Sequence, residues 1–249
     1  GVEVREGVAV RRHARRASHV EVEGDGVAVR ARLLVAADGL ASAIRRREGL
    51  ELPAGAARRF GLRRHFALAP WTDAVEVHFG AGVEAYVTPA GPCRVGVAFL
   101  CEASARASYP ALLARFPALG ARVDGAPYDS GPAGAGPLAR AARARVLDRL
   151  VLVGDAAGYV DAITGEGLSL ALEGACALAP VLREALAAGA ARGAFAGWER
   201  GEARRYARYA ATARLVLGLA RRPAARRASL GFLARHPGLF ARLVEAAVG

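Results

Sequence analysis

Apolar and polar residues alternate along the first thirty positions, at Val2, Val4, Val8 and Val10, again from His19 to Glu23, and from Val27 to Arg30 after the turn Gly24-Asp25-Gly26. Period-two alternation broken by a glycine turn predicts a short antiparallel meander. Two later runs are continuously apolar. Leu33 to Ala37 ends in Asp38-Gly39, and Leu150 to Val153 ends in Gly154-Asp155, so each predicts a strand buried on both faces and stopped abruptly. Between them the alternation returns over Phe60–Phe66, Val75–Phe79, Val83–Thr88 and Arg94–Leu100. The turns at Pro70-Trp71, Gly80 to Gly82 and Pro89 to Pro92 mark this as a second antiparallel sheet.

Helical spacing governs the rest. Ser104 to Phe116 predicts a short helix ended by Pro117 and Gly120, and the Gly- and Pro-rich stretch 131–137 is a connection. Leu168 to Ala188 predicts a long helix. Trp198–Ala220 and Ala224–Val248 then set Leu, Val, Phe and Tyr against many arginines, separated by Arg221-Arg222-Pro223.

The strand that ends at Asp155 is the first candidate for chemistry. In open α/β sheets ligands bind outside the carboxyl ends of parallel strands, and a carboxylate beside a glycine suits hydroxyl recognition at close backbone approach. The segment Thr164-Gly165-Glu166-Gly167 leads straight into the long helix. Its first free amides, with the helix dipole behind them, accommodate negative charge without a basic side chain. A turn in which Asp155 merely caps the chain is the plainer alternative.

Asp38, Gly39, Ser42 and Arg45 fit the pattern D-G-x-x-S-x-x-R, and Gly154 to Gly158 reads G-D-A-A-G. With these two motifs the sequence resembles the FAD-dependent oxidoreductases that include aromatic-ring hydroxylases and geranylgeranyl reductases. Asp161-Ala162-Ile163-Thr164-Gly165-Glu166-Gly167 is similar to the D-x-x-T-G-E-G of the reductase branch. The hydroxylase branch has His after G-D-A-A and a Pro-x-x-G-x-G, where this chain has Gly158 and no such proline.

The resemblance implies a Rossmann-like, three-layer α/β domain that binds FAD, with an inserted antiparallel substrate sheet and C-terminal helices. Residues 1–47 and 146–190 would form the discontinuous flavin domain, 48–145 the substrate domain and 191–249 the helical segment. Asp155 would bond the ribityl chain. Amides near Gly165, Gly167 and Leu168 would face the flavin's N1 and C2 carbonyl edge, and Asp38, Gly39, Arg45 and Gly154 would support the cofactor. The resemblance also implies an upstream βαβ unit with G-x-G-x-x-G, roughly a hundred residues with its connections, which is not in this sequence.

The inward face of the inserted sheet would meet the substrate, with Tyr86, His65 and His78 as binding candidates and Trp71 beside them. Each also fits simple packing. The implied activity is hydride transfer from reduced flavin to a double bond of a lipophilic substrate. NAD(P)H-dependent hydroxylation of an aromatic or polyketide-like ring is the alternative, and a non-catalytic binding remnant is a third.

Composition narrows the classes. Hydrophobic residues make up 53%, which places the chain among globular proteins. The net charge of +12 would suggest a nucleic-acid partner, yet all 35 basic residues are Arg, and Lys, Asn, Gln and Met are absent. Biased composition explains that charge, and no aromatic-interleaved basic stripe accompanies it, so nucleic acid is not expected. Amphipathic basic helices after residue 190 leave open a lid on the substrate domain or a peripheral membrane contact.

Cys93, Cys101 and Cys176 have no C-x-x-C spacing, so neither disulfides nor zinc are indicated and a cytoplasmic location fits. Cys93 and Cys101 share strand parity and are expected to be buried. His13 and His19 fall on exposed parities and are expected in solvent. No metal site is expected, and five scattered histidines offer neither H-E-x-x-H nor a Ser-His-Asp arrangement.

Overall fold

A computed structural model describes residues 1–53 and 58–248. In chain order the strands and helices are β1 (Val10–Arg15), β2 (Val20–Gly24), β3 (Val27–Ala31), β4 (Leu34–Ala36), α1 (Ala43–Arg47), β5 (Arg59–Phe66), β6 (Glu76–Gly80), β7 (Val83–Pro89), β8 (Val95–Glu102), α2 (Tyr109–Leu113) and α3 (Pro117–Val123). There follow β9 (Ala133–Ala135), β10 (Arg140–Ala141), β11 (Val146–Leu147), β12 (Leu150–Leu152), β13 (Gly158–Tyr159), α4 (Gly167–Ala187), α5 (Ala196–Ala220), α6 (Pro223–Arg235) and α7 (Pro237–Val248).

The chain divides into two units. The first comprises Gly1–Pro53, Arg140–Tyr159 and Glu166–Tyr209; the second comprises Ala54–Ala139, Val160–Gly165 and Ala210–Gly249. The C-terminal helices, expected as one segment from residue 191, are divided between the units at Tyr209. The segment Asp161 to Gly167 is divided as well, because its first half packs with the antiparallel sheet and its second half opens α4.

In the first unit β12 pairs parallel with β4, Leu150 opposite Leu34 and Leu152 opposite Ala36, with β11 antiparallel on the other side of β12. Parallel pairing brings the carboxyl ends of both Asp-ending strands together. Leu150, Val151 and Leu152 are completely buried, as the uninterrupted apolar run predicts. Each such side chain contributes about 1.5–3 kcal/mol of burial. The sheet packs under α4, where Leu178 and Ala185 join Val146, Val151, Phe195 and Trp198.

The meander β1–β2–β3 forms, with the Gly24-Asp25-Gly26 turn at β2–β3. It begins later than the alternation suggests. Val2 and Val4 are exposed and outside any strand, since alternation alone supplies no partner for their backbone. His13 is the opposite correction. Its side chain is only 2% exposed, with Nε2 2.8 Å from Glu48, and Arg15 bonds the same carboxylate at 2.8 Å. His19 is half-buried and lies 3.0 Å from Glu21.

The second unit is built on the sheet β6-β7-β8-β5-β9. Alternate residues of β5, β7 and β8 fall on one face, where Phe66, Val83, Ala85, Val87, Val97 and Phe99 pack against Tyr109, Leu112, Phe116 and Leu119 of α2, α3 and their link. The helix expected over Ser104–Phe116 is confined to α2, and a second short helix, α3, follows it. Pro117 starts α3 rather than ending its predecessor, because proline's fixed φ and missing N–H suit a first helical position. Cys101 is buried on β8, but Cys93 lies in the preceding turn and is exposed. The pattern over 224–248 is broken at His236-Pro237 into α6 and α7.

Candidate cofactor site

The two Asp turns at the ends of β4 and β12 are joined by one side chain. Ser42 caps α1, its Oγ accepting from Arg45 N–H at 2.9 Å, which fixes where the Arg45 side chain starts. The guanidinium is fully buried. Nη1 donates to the carbonyls of Asp155 (3.2 Å) and Ala156 (2.8 Å), and Nη2 donates to the carbonyl of Leu40 (2.7 Å). Arg45 therefore ties the two Asp turns to each other. Fully buried, with Nη1 and Nη2 engaged on carbonyls, it has no exposed face for a ligand, which narrows the sequence expectation for this residue.

Asp38 Oδ2 accepts the N–H of Ile44 at 3.1 Å, so part of its carboxylate is occupied in capping α1. Gly39, at φ 75°, makes the turn between them.

Asp155 sits in the tight turn Gly154–Ala156. Burial pushes its carboxyl above the usual range, partly offset by the Arg45 charge. Gly154 takes φ 56°, and a Cβ there would lie 3.1 Å from Ala171 of α4, so the turn can press against the helix only without a side chain.

Gly167 opens α4 under the same constraint. A Cβ on it would come within 3.0 Å of the Tyr159 ring and 3.9 Å of Asp155 Oδ1. The half-buried carboxylate and the first helical turn are thus neighbours, and the first amides of α4 have no intrahelical acceptor. Gly165, at φ 75°, turns the chain into that helix, and Leu168 is 73% exposed, so its backbone N–H rather than its side chain is the candidate feature.

A cavity of about 30 Å³ lies beside Asp155, lined among others by Tyr159, Leu170, Glu202, Tyr206 and Tyr209. It has room for about one water, so a ligand at Asp155 would lie outside it.

On the sheet of the second unit, Tyr86 and His65 share a face. The pairings Tyr86 to Ala98 and His65 to Gly96 place them there, opposite the core. Tyr86 donates to the carbonyl of Ile163 at 3.4 Å, and burial pushes its phenol pKa up. His65 bonds Ser130, and burial with Arg94 and Arg63 nearby holds its pKa down.

His78 is a correction. It lies opposite Ala85 on the core face and packs edge-on against Phe116, 6.5 Å between centroids, so the sheet separates it from Tyr86. Trp71 lies outside the strands and donates to Glu76 at 3.0 Å. None of these lines the open cavity of about 420 Å³ bounded by Phe60, Leu62, Cys101, Arg106 and Leu112.

Arg59 and Glu84, which the sequence did not single out, form a buried charged cluster with Asp161 in this unit. Arg59 of β5 pairs with Glu84 of β7, and its Nη1 lies 3.5 Å from Asp161 Oδ1. Burial pushes both carboxyls up, with Arg59 opposing. Glu84 had one legible signal, a charge within Val83-Glu84-Ala85-Tyr86-Val87 on the parity of Tyr86. Arg59 had none among so many arginines. Among the described residues no group of His, Cys, Asp and Glu could hold a metal ion, and no helix is long and apolar enough to cross a membrane.

No protein-family model matches the sequence, and no curated protein matches it. Solved structures do. The flavin-dependent brominase Bmp2 gives a TM-score of 0.79 at 14% identity, over 97% of this chain and 64% of that one. The chain has a Rossmann-like α/β fold. The Diels-Alderase PyrE3 of pyrroindomycin biosynthesis gives 0.70 at 24% identity, over 99% of this chain and 53% of that one. The halogenase PltM in complex with phloroglucinol and FAD gives 0.69 at 21%, over 79% and 46%. The chain spans about half the length of such structures. The expected α/β architecture with an antiparallel sheet and C-terminal helices is therefore borne out.

Proposed function

We propose that this chain belongs to an FAD-dependent oxidoreductase, and that Asp155 with the first turn of α4 holds the flavin. The observation that carries this is the closeness of the α4 start to Asp155 at the carboxyl ends of two parallel strands, where a Cβ on Gly167 would lie 3.9 Å from Asp155 Oδ1. A half-buried carboxylate accepts bonds from a polyol chain, and the first amides of a helix donate to a carbonyl edge and stabilise its developing negative charge. The FAD held by PltM supports the choice of cofactor. FAD, when bound, supplies the hydride or oxygen chemistry. The chain's own part is to orient it, stabilise charge with the α4 amides, and hold Asp155 through the buried Arg45.

The reaction we favour is hydride transfer to a double bond of a lipophilic substrate, on the likeness of Asp161 to Gly167 to the reductase motif. NAD(P)H is the proposed electron donor. Hydroxylation of an aromatic ring is the second reading, favoured by Tyr86 and His65 sharing one face of the substrate sheet.

Titration of the chain with FAD, following flavin absorbance and fluorescence, tests the cofactor assignment. Asp155→Ala should weaken saturable binding at least tenfold, about 1.4 kcal/mol. A folded chain that binds no FAD would sink the assignment for this chain and favour the non-catalytic remnant. Oxygen uptake coupled to NADPH oxidation in the loaded protein would select hydroxylation over reduction.

A further inference from the structure

The segment that precedes α4 is fastened to the antiparallel sheet at two points within the second unit. Asp161 is 2% exposed, and its Oδ1 accepts the N–H of Ile163 at 3.0 Å while lying 3.5 Å from Arg59 Nη1. One residue along from that turn, the carbonyl of Ile163 accepts from the Tyr86 hydroxyl at 3.4 Å. Arg59 opens β5, and Glu84 and Tyr86 stand two apart on one face of β7. One guanidinium thus serves two buried carboxyls. An ion pair of Arg221 with Glu102, 2.8 Å apart, completes the surroundings, its arginine acting on Asp161 and its carboxylate on Glu84.

Taking this much charge out of water is costly, and a greasy strand pair would hold a loop more cheaply. An ion pair supplies direction instead. It fixes where Asp161 sits relative to the strands, and with it the five residues that connect Asp161 to the start of α4.

We propose that Arg59 and Asp161 are positioning residues that set the conformation of residues 161–165, so that the Tyr86 face of the substrate sheet and the flavin-facing amides at the start of α4 are coupled through them. This rests on the flavin assignment above. Occupation of the Tyr86 face would then act on the start of α4 through this segment of chain, since Tyr86 holds the loop as well as lining that face.

Hydrogen exchange of the whole 249-residue chain, read at the amides of Ile163 to Gly165, tests the fastening without any cofactor. Asp161→Asn keeps an acceptor for Ile163 N–H and removes the charge that faces Arg59. It should raise exchange there at least tenfold, Tyr86→Phe should raise it less, and exchange around Leu178 in α4 should stay unchanged. Arg59→Lys retains the charge and should restore most of the protection. Unaltered exchange at 163–165 in a folded Asp161→Asn chain would overturn the proposal.

The second arm is the reduction potential of the FAD-loaded chain. Asp161→Asn should shift it, whereas breaking the Arg94–Asp129 ion pair with Asp129→Asn should not. An unmoved potential with faster exchange would reduce Arg59 to a purely structural role and overturn the coupling. A chain that takes up no FAD would fail the flavin assignment itself, and the exchange arm would still decide whether Arg59 holds the loop.

Discussion

Arg45 donates from Nη1 to the carbonyl of Ala156 at 2.8 Å, across 111 residues of sequence, so one buried guanidinium holds the two Asp turns in a fixed relation. Its bonds to Asp155 and Leu40 make this a three-carbonyl clasp. Arg45→Met removes charge-assisted donors from three acceptors and should cost about 3 kcal/mol, at roughly 1 kcal/mol each. Arg45→Lys should recover only a fraction, because one ammonium lacks the planar fork. Urea unfolding of the two variants checks both, and an equal loss for Lys and Met would show that the fork geometry is irrelevant.

Stability should fall as pH rises above the ordinary carboxylate range. Burial raises the native pKa of Glu84, Asp161 and Asp155, so between the unfolded and native values the native state binds more protons than the unfolded state. The stability they contribute is full below the unfolded pKa and is lost as pH climbs through the native one. Glu48 acts the other way. Burial there is outweighed by the bonds from Arg15 and His13, its pKa is lowered, and its contribution is lost on acidification. Urea midpoints followed from about pH 5 to pH 8 should decline in the wild type, and Asp161→Asn should flatten the decline. A slope that the substitution leaves untouched would count against the buried cluster as its source.

Gly167→Ala should impair the cofactor site more than the fold. The added methyl would meet the Tyr159 ring at 3.0 Å, so the first turn of α4 must back away from Asp155. FAD affinity should drop about tenfold, or 1.4 kcal/mol, with a change in unfolding midpoint too small to account for it. Parallel losses in affinity and stability would point to a packing role for this glycine.

The C-terminal helices offer a separate test of the membrane expectation. Leu230, Phe232, Leu239 and Phe240 are all exposed, among Arg227, Arg235 and Arg242. Apolar side chains interleaved with arginines suit an anionic bilayer surface. The chain should sediment with phosphatidylglycerol vesicles, more weakly with phosphatidylcholine ones, and Phe232→Ser with Phe240→Ser should release it. Equal sedimentation of the double variant would leave only non-specific attraction of a basic protein.

The sequence alone determined the strands and the local chemistry of the site. Leu150 to Val153 and Leu33 to Ala37 read as buried strands because nothing polar interrupts them, and Asp155, Gly165 and Gly167 stood out because a carboxylate at a strand end and glycines at a helix start suit ligand recognition. β5 to β8 were equally plain from alternation. What sequence left open was every relation between distant segments. Arg45 and Arg59 look like any other arginine until tertiary packing buries them, one against carbonyls and the other against Glu84 and Asp161. His13 and His78 have the local pattern of solvent and cavity residues, yet Glu48 and Phe116, far away in the chain, cover them. Periodicity records which face a side chain takes; only the folded chain decides what that face meets.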